Sequence, residues 1–188
     1  MMLSYGASID ILIEAVNNIR QKLDISWGDY PIDIYNVIEQ YEYLTVAEES
    51  FEAKGLGGFL IRNKLPEASV IVVNSNQRTV DKNFAVCHEI IHYFCHDFDL
   101  ENKLFACSHK KYIRTPREQQ ANEGAAELLA PAQLIIPDLH TAMEYYRDKA
   151  LAIKETAKAY GVATRVMERR ITNLGIHLNE SPASSAMQ

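Results

Sequence analysis

The stretch AVCHEIIHYFCHDF, residues 85–98, decides how the rest of the chain is interpreted. It holds His88, Glu89 and His92 in the spacing His-Glu-x-x-His, surrounded by apolar residues. Residues four apart lie on one face of a helix, so both histidines can present a ring nitrogen to one ion while the glutamate lies beside them. This pattern is typical of a catalytic zinc site in which the glutamate takes the proton of a water molecule.

The same stretch permits two other interpretations. One is a helix that is simply rich in histidine, with His88 and His92 facing water; its apolar flanks argue against this, because burying unpaired polar groups is costly. The other is a structural Cys₂His₂ knot, but Cys87 and Cys95 lie on other sides of the helix from the histidine pair. We therefore interpret both cysteines as small buried apolar residues. We also place His96 outside the site, because about 12 Å of helix separates it from His88.

A third ligand has to come from another part of the chain. The segment TPREQQANEGAAELLAP, residues 115–131, predicts a helix with Thr115 as its N-cap and proline in its first turn. Glu118 lies on the face that also carries small residues, whereas Glu123 and Glu127 lie on a face that we expect to be solvated. Thr115 and Glu118 also fit a capping box, in which the glutamate only reaches back to its own helix. The residues alone leave both roles of Glu118 open.

The two motifs together resemble the ImmA/IrrE family of zinc metallopeptidases. The similarity consists of a strand, the helix FAVCHEIIHYFCH (84–96) and the segment EQQANEGAAELLAP (118–131), in this order and at this separation. Ala130 departs from the family, which usually has methionine there, and Gly124 departs where the family often has an aromatic residue. Both are packing positions, and they leave the shape of the substrate groove open.

The resemblance implies a role for each motif residue. His88, His92 and Glu118 would be ligands of Zn²⁺, and Glu89 would be the general base. The implied enzyme is a cytoplasmic zinc metalloendopeptidase that cleaves one specific intracellular protein. Its partner would be a helix-turn-helix repressor of the phage or mobile-element type, encoded nearby.

An oxyanion formed during hydrolysis usually needs a further electrophile. Tyr93, His109 and Tyr112 are candidates for this role. Nothing in the sequence selects among them, so the residue stays undecided.

The C-terminal segment IKETAKAYGVATRVMERRITNLGI, residues 153–176, resembles a helix-turn-helix with Gly161 at its turn. Arg165, Arg169 and Arg170 can meet DNA phosphates there, or they can be solvated on a helix pair that closes the core. The second interpretation is favoured, because a net charge of −6 argues against broad nucleic-acid binding. The alternative function is a DNA- or repressor-binding regulator with a structural or vestigial metal site.

The chain of 188 residues suits a single domain. We expect an α+β fold, which by the resemblance is a mostly helical zincin-like domain with a small sheet and a helix-turn-helix-like end. No run approaches the roughly 20 apolar residues of a membrane span, no secretion signal is recognisable, and three cysteines cannot all pair. We therefore expect a reduced, cytoplasmic protein. The expected parts are a domain over 1–178 with N-terminal helices at 8–45, a sheet at 51–74, zinc-site helices at 80–97 and 115–130 and C-terminal helices at 132–176, followed by a disordered tail at 179–188.

Overall fold

Two helices that carry the motif residues lie side by side at the centre of the fold. The computed structural model describes residues 8–52, 56–63, 68–96, 104–108 and 115–178, of which 104–108 are described by their backbone. Its helices are α1 (Ile9–Lys22), α2 (Ile34–Glu39), α3 (Thr79–Cys95), α4 (Pro116–Leu129), α5 (Ala132–Tyr146), α6 (Lys149–Ala159) and α7 (Thr164–Asn173). Its strands are β1 (Leu44–Glu49), β2 (Leu56–Ile61), β3 (Ser69–Asn74) and β4 (Leu104–Ser108). The predicted α+β class is thus confirmed.

The sheet has the order β1-β3-β2-β4. β1 pairs with β3 in parallel, and β2 pairs antiparallel with both β3 and β4. α3 follows β3 and packs against β2 and β3 on one side and against α4 on the other. This double coverage explains why Ala85, Val86, Ile90 and Ile91 of α3 are all completely buried.

The sheet extends beyond the predicted 51–74 at both ends. β1 begins at Leu44, near the end of the segment 8–45 assigned to the N-terminal helices, and continues to Glu49; the helix before it, α2, ends at Glu39. Only Leu44 of β1 is buried, so this edge strand lacks the alternation of apolar and polar residues that marks a strand in sequence. β4 lies between the two predicted zinc-site helices, in a segment to which we assigned no helix or strand, and it pairs with β2.

The predicted C-terminal helices correspond to α5, α6 and α7, and α6 and α7 pack against each other. Gly161, at the turn between them, has a φ of 63°, in the left-handed region that favours glycine. The predicted tail at 179–188 lies outside the described residues. Within the described chain, no helix has both the length and the apolar character needed to cross a membrane.

Gly124 of α4 lies directly against the side chain of Ile91 of α3. A Cβ atom built on Gly124 would lie 2.9 Å from both Cδ1 and Cγ1 of Ile91 and 3.1 Å from its Cγ2. The missing side chain therefore lets the two site helices pack closely, which accounts for glycine at this position.

We expect Gly124→Val to lower the free energy of unfolding by about 1–3 kcal/mol, because the added atoms overpack the contact with Ile91. The measurement is urea unfolding followed by circular dichroism. Gly28→Ala is the control, since a Cβ at Gly28 would meet only Ser26 Oγ, at 3.9 Å. Equal changes in the two variants would contradict a close helix contact at Gly124.

Candidate metal centre

Three side chains from α3 and α4 converge on one point. Nε2 of His88 lies 2.9 Å from Nε2 of His92. In the Glu118 carboxylate, Oε2 lies 3.4 Å from Nε2 of His88, and Oε1 lies 3.3 Å from Nε2 of His92. Within the described parts of the chain, these three residues are the group with the composition and spacing to hold a metal ion.

The separations fit one small tetrahedral ion. Zinc bonds of about 2.0–2.1 Å at tetrahedral angles separate neighbouring ligand atoms by roughly 3.3 Å, which is close to the distances among His88, His92 and Glu118. The two histidines are 0% and 3% exposed, whereas the side chain of Glu118 is 23% exposed. The cluster is therefore deep on the α3 side and accessible on the Glu118 side, as a site that admits a substrate requires.

Glu118 uses its backbone and its side chain for different purposes. Its backbone N–H donates to Oγ1 of Thr115 at 3.2 Å, which caps the start of α4. Its carboxylate lies at the histidines instead of turning back to its own helix. Burial alone would raise the pKa of the Glu118 carboxyl, but the neighbouring His88 and His92 outweigh burial and lower this pKa. The group at the cluster is therefore a carboxylate, the form that binds metals.

Glu89 is completely buried on α3. Each helical residue turns the side chain by about 100°, so Glu89 lies about 60° round the helix from His92. Glu89 therefore lies beside the cluster, and the carboxylate within the cluster belongs to Glu118. A carboxylate in this position can accept a proton from a molecule bound between the helices.

We expected His96 to lie outside the site, but its side chain contacts that of His92. Its Nδ1 lies 2.8 Å from Nδ1 of His92, and its Nε2 lies 3.2 Å from Oε1 of Gln120. Burial, followed by the neighbouring His92, lowers the pKa of His96 to about 4. The distance argument along the helix correctly kept His96 away from the ion position, but it did not consider a contact with the other ring nitrogen of His92.

The cysteines of α3 are buried free thiols. Burial raises the pKa of Cys95 to about 11 and raises that of Cys87 as well. A thiol that stays protonated at neutral pH is a poor metal ligand and a poor nucleophile. The structure thus agrees with their interpretation as small apolar residues.

We expect the double variant Cys87→Ala/Cys95→Ala to keep the zinc-to-protein ratio of the unaltered protein, because neither sulfur is at the cluster. Elemental analysis of the dialysed proteins measures the ratio. His88→Ala is the comparison that should lose metal. A zinc ratio that falls in the cysteine variant would revive the Cys₂His₂ interpretation.

Of the three oxyanion candidates, only Tyr93 lies among the described residues. Its carbonyl accepts a hydrogen bond from Arg62 at 2.7 Å, and the guanidinium of Arg62 lies 5.0 Å from the centre of its ring. Its ring also packs against Phe94. His109 and Tyr112 lie outside the described residues, so the choice among the three stays open.

The face of α4 that carries Glu123 and Glu127 is not solvated, contrary to our expectation. Glu127 is 2% exposed and forms a buried ion pair with Arg170, which also donates to the carbonyl of Ala130 at 3.3 Å. Glu123 accepts hydrogen bonds from Arg169 at 3.0 Å. Burial lowers the pKa of Arg170 to about 10, which keeps it charged at neutral pH. Arg169 and Arg170 therefore attach α7 to α4, a pairing that no spacing along the chain reveals.

Replacing Arg170 with methionine should lower the free energy of unfolding by about 3 kcal/mol, because Glu127 would remain buried without its counter-ion. Thermal or urea unfolding measures the loss. Arg165→Met is the matched control, since Arg165 is 65% exposed in its pair with Asp81 and such pairs contribute about 0–1 kcal/mol. Similar losses in both variants would contradict the importance of burial.

Comparison with known proteins adds a family to this geometry. The family model for the IrrE N-terminal-like domain, Peptidase_M78, matches residues 40–172, a span that contains the three cluster residues and Glu89. No curated protein matches the chain. A solved structure described as a Mycobacterium tuberculosis transcriptional regulator is similar with a TM-score of 0.55 and 15% identity, covering 92% of this chain and 49% of that chain. The chain thus spans about half the length of that protein, and the likeness concerns the fold alone.

Proposed function

The chain belongs to the IrrE N-terminal-like family, Peptidase_M78, and on this premise we propose that it is a zinc-dependent endopeptidase. The observation that carries the proposal is the convergence of His88, His92 and Glu118 on one point, with Glu89 buried beside them. The two histidines and Glu118 would hold the ion. Zinc bound there would supply Lewis acidity, which acidifies a water molecule and polarises a peptide carbonyl.

A residue of the chain would then transfer the proton that the attacking water loses. Glu89 would accept the proton of the attacking water and pass it to the leaving amine. The exposed side of Glu118 would admit the substrate peptide to the cluster. The buried surroundings of His88 and His92 would exclude other water from the reacting atoms.

We further propose that the substrate is one specific cytoplasmic protein, a helix-turn-helix repressor of the phage or mobile-element type encoded nearby. The resemblance of the two motifs to ImmA/IrrE proteins supports this proposal. An enzyme with one specific target need not degrade generic protease substrates.

The test is chelator-sensitive cleavage. The purified protein is analysed for metal and then incubated with the repressor encoded beside its gene, with and without a zinc chelator. We expect about one zinc ion per chain and cleavage at a discrete site that stops on chelation and returns with zinc. Cleavage that is unaffected by complete removal of the metal would refute the proposal.

A second candidate function is a DNA- or repressor-binding regulator with a structural or vestigial metal site. A groove beside the α6–α7 turn supports it: its lining includes Lys154 and Lys158, together with Arg78 and Arg165, which both pair with Asp81. Such a regulator would bind DNA with an affinity that falls steeply with salt and ignores chelation. Filter binding at several salt concentrations, with and without chelator, separates this candidate from the peptidase.

A further inference from the structure

The side chains behind the candidate ligands form a buried hydrogen-bonded chain. His92 directs Nε2 at His88 and Glu118, and its other ring nitrogen lies 2.8 Å from Nδ1 of His96. Nε2 of His96 lies 3.2 Å from Oε1 of Gln120. His92, His96 and Gln120 are 3%, 2% and 8% exposed, so bulk water competes little for these contacts.

The chemistry of these groups determines where the protons lie. An amide oxygen only accepts a hydrogen bond, so in this contact Nε2 of His96 carries the hydrogen and donates to Oε1 of Gln120. In a neutral imidazole, Nδ1 of His96 is then an acceptor, and the proton in the contact between the two rings belongs to His92. Nε2 of His92 consequently keeps its lone pair, which lies on the side of His88 and Glu118.

We propose that His96 and Gln120 are positioning residues that hold His92 in its metal-binding tautomer and ring orientation. This proposal rests on the metal site proposed above and deepens it. An imidazole that binds a metal through one nitrogen is oriented, and made more basic, by an acceptor at the other. Here the acceptor is the imidazole of His96, the C-cap residue of α3, which Gln120 of α4 orients in turn.

The position of Gln120 gives the chain of contacts a further consequence. Gln120 lies two residues from Glu118 on the same helix. The contact with His96 therefore ties α3 to α4 beside the point where the candidate ligands of the two helices meet. A shift of α4 that moved Glu118 would also disturb the orientation of His92.

Zinc affinity of the full chain, measured by competition with a chromophoric chelator, tests the proposal without any substrate. His96→Phe keeps a ring of similar size but removes both nitrogens, and it should weaken zinc binding by about 10–100-fold. His96→Asn restores an acceptor near the position of Nδ1 and should recover most of this loss. His140→Phe is the matched control, because it makes the same change at an exposed position of α5 and should leave affinity unchanged.

The proton positions have their own measurement, which does not depend on how a variant folds. Long-range ¹H–¹⁵N correlation spectra of protein labelled at histidine distinguish the two tautomers of each ring. We expect Nε2–H at His96 and Nδ1–H at His92. The opposite tautomer at His96 would overturn the proposed direction of the chain.

The outcomes separate this proposal from the one on which it rests. An unaltered protein that binds zinc, together with unchanged affinity in His96→Phe, would overturn the positioning role and leave the peptidase proposal intact. An affinity in His96→Asn as low as in His96→Phe would also overturn it, since packing rather than hydrogen bonding would then be responsible. An unaltered protein that binds no zinc would overturn both proposals.

Discussion

Replacing Glu118 with glutamine should reduce the zinc affinity of the protein roughly a thousandfold. Zinc binding contributes about 10–16 kcal/mol in structural sites at neutral pH. One of three protein ligands then accounts for roughly 4 kcal/mol of the binding free energy, which is about a thousandfold in affinity. Glutamine keeps the size of Glu118 but loses the charge that lies 3.3 and 3.4 Å from the two histidines. Competition with a chromophoric chelator measures the loss.

Thr115→Ala is the control that separates the two roles open to Glu118. It removes the hydroxyl that accepts the Glu118 N–H and leaves the carboxylate in place. We expect a loss of about 1 kcal/mol in the free energy of unfolding and an unchanged zinc affinity. If Glu118→Gln instead lost stability like Thr115→Ala and kept its zinc affinity, Glu118 would be a capping residue and the third ligand would lie elsewhere.

The helix of the His-Glu-x-x-His motif was predictable because its information is local. The spacing of His88 and His92 places both on one face by helical geometry alone. Glu118 was harder, because a capping box and a ligand need the same residue at the same position. In the structure Thr115 caps the helix through the Glu118 backbone N–H, whereas the Glu118 carboxylate lies at the histidines, so the side chain does not take the capping-box role.

The parts that sequence reasoning missed depend on contacts between distant segments. Glu127 was expected in solvent because it lies on a different face of its helix from Glu118 and the small residues, but its partner Arg170 lies 43 positions further along the chain. His96 was set aside because distance along a helix excludes a shared ion but does not exclude contact with a ligand's second nitrogen. β4 forms by pairing with the free edge of β2, so the strand depends on the sheet and not on the sequence of its own five residues.

Replacing Glu89 with glutamine should leave zinc binding intact and reduce cleavage of the target by about 10²–10⁴-fold, the contribution of a general acid–base group. Glutamine fills the same buried space but cannot accept a proton from water. In cells, new protein N-termini should appear with the unaltered enzyme and be absent with Glu89→Gln; with the purified target, the cleavage rate gives the factor.

The same substitution at Glu14, an exposed residue of α1, is the matched control and should change neither metal content nor cleavage. The two measurements on Glu89→Gln together identify which part of the mechanism fails, if one does. Loss of zinc along with activity would make Glu89 a supporter of the metal site. Retention of zinc with cleavage at the unaltered rate would exclude Glu89 as the base and require another proton acceptor. Only retained zinc with lost cleavage assigns the proton transfer to Glu89, because the metal and the fold are then the same in both proteins and the carboxylate is the difference.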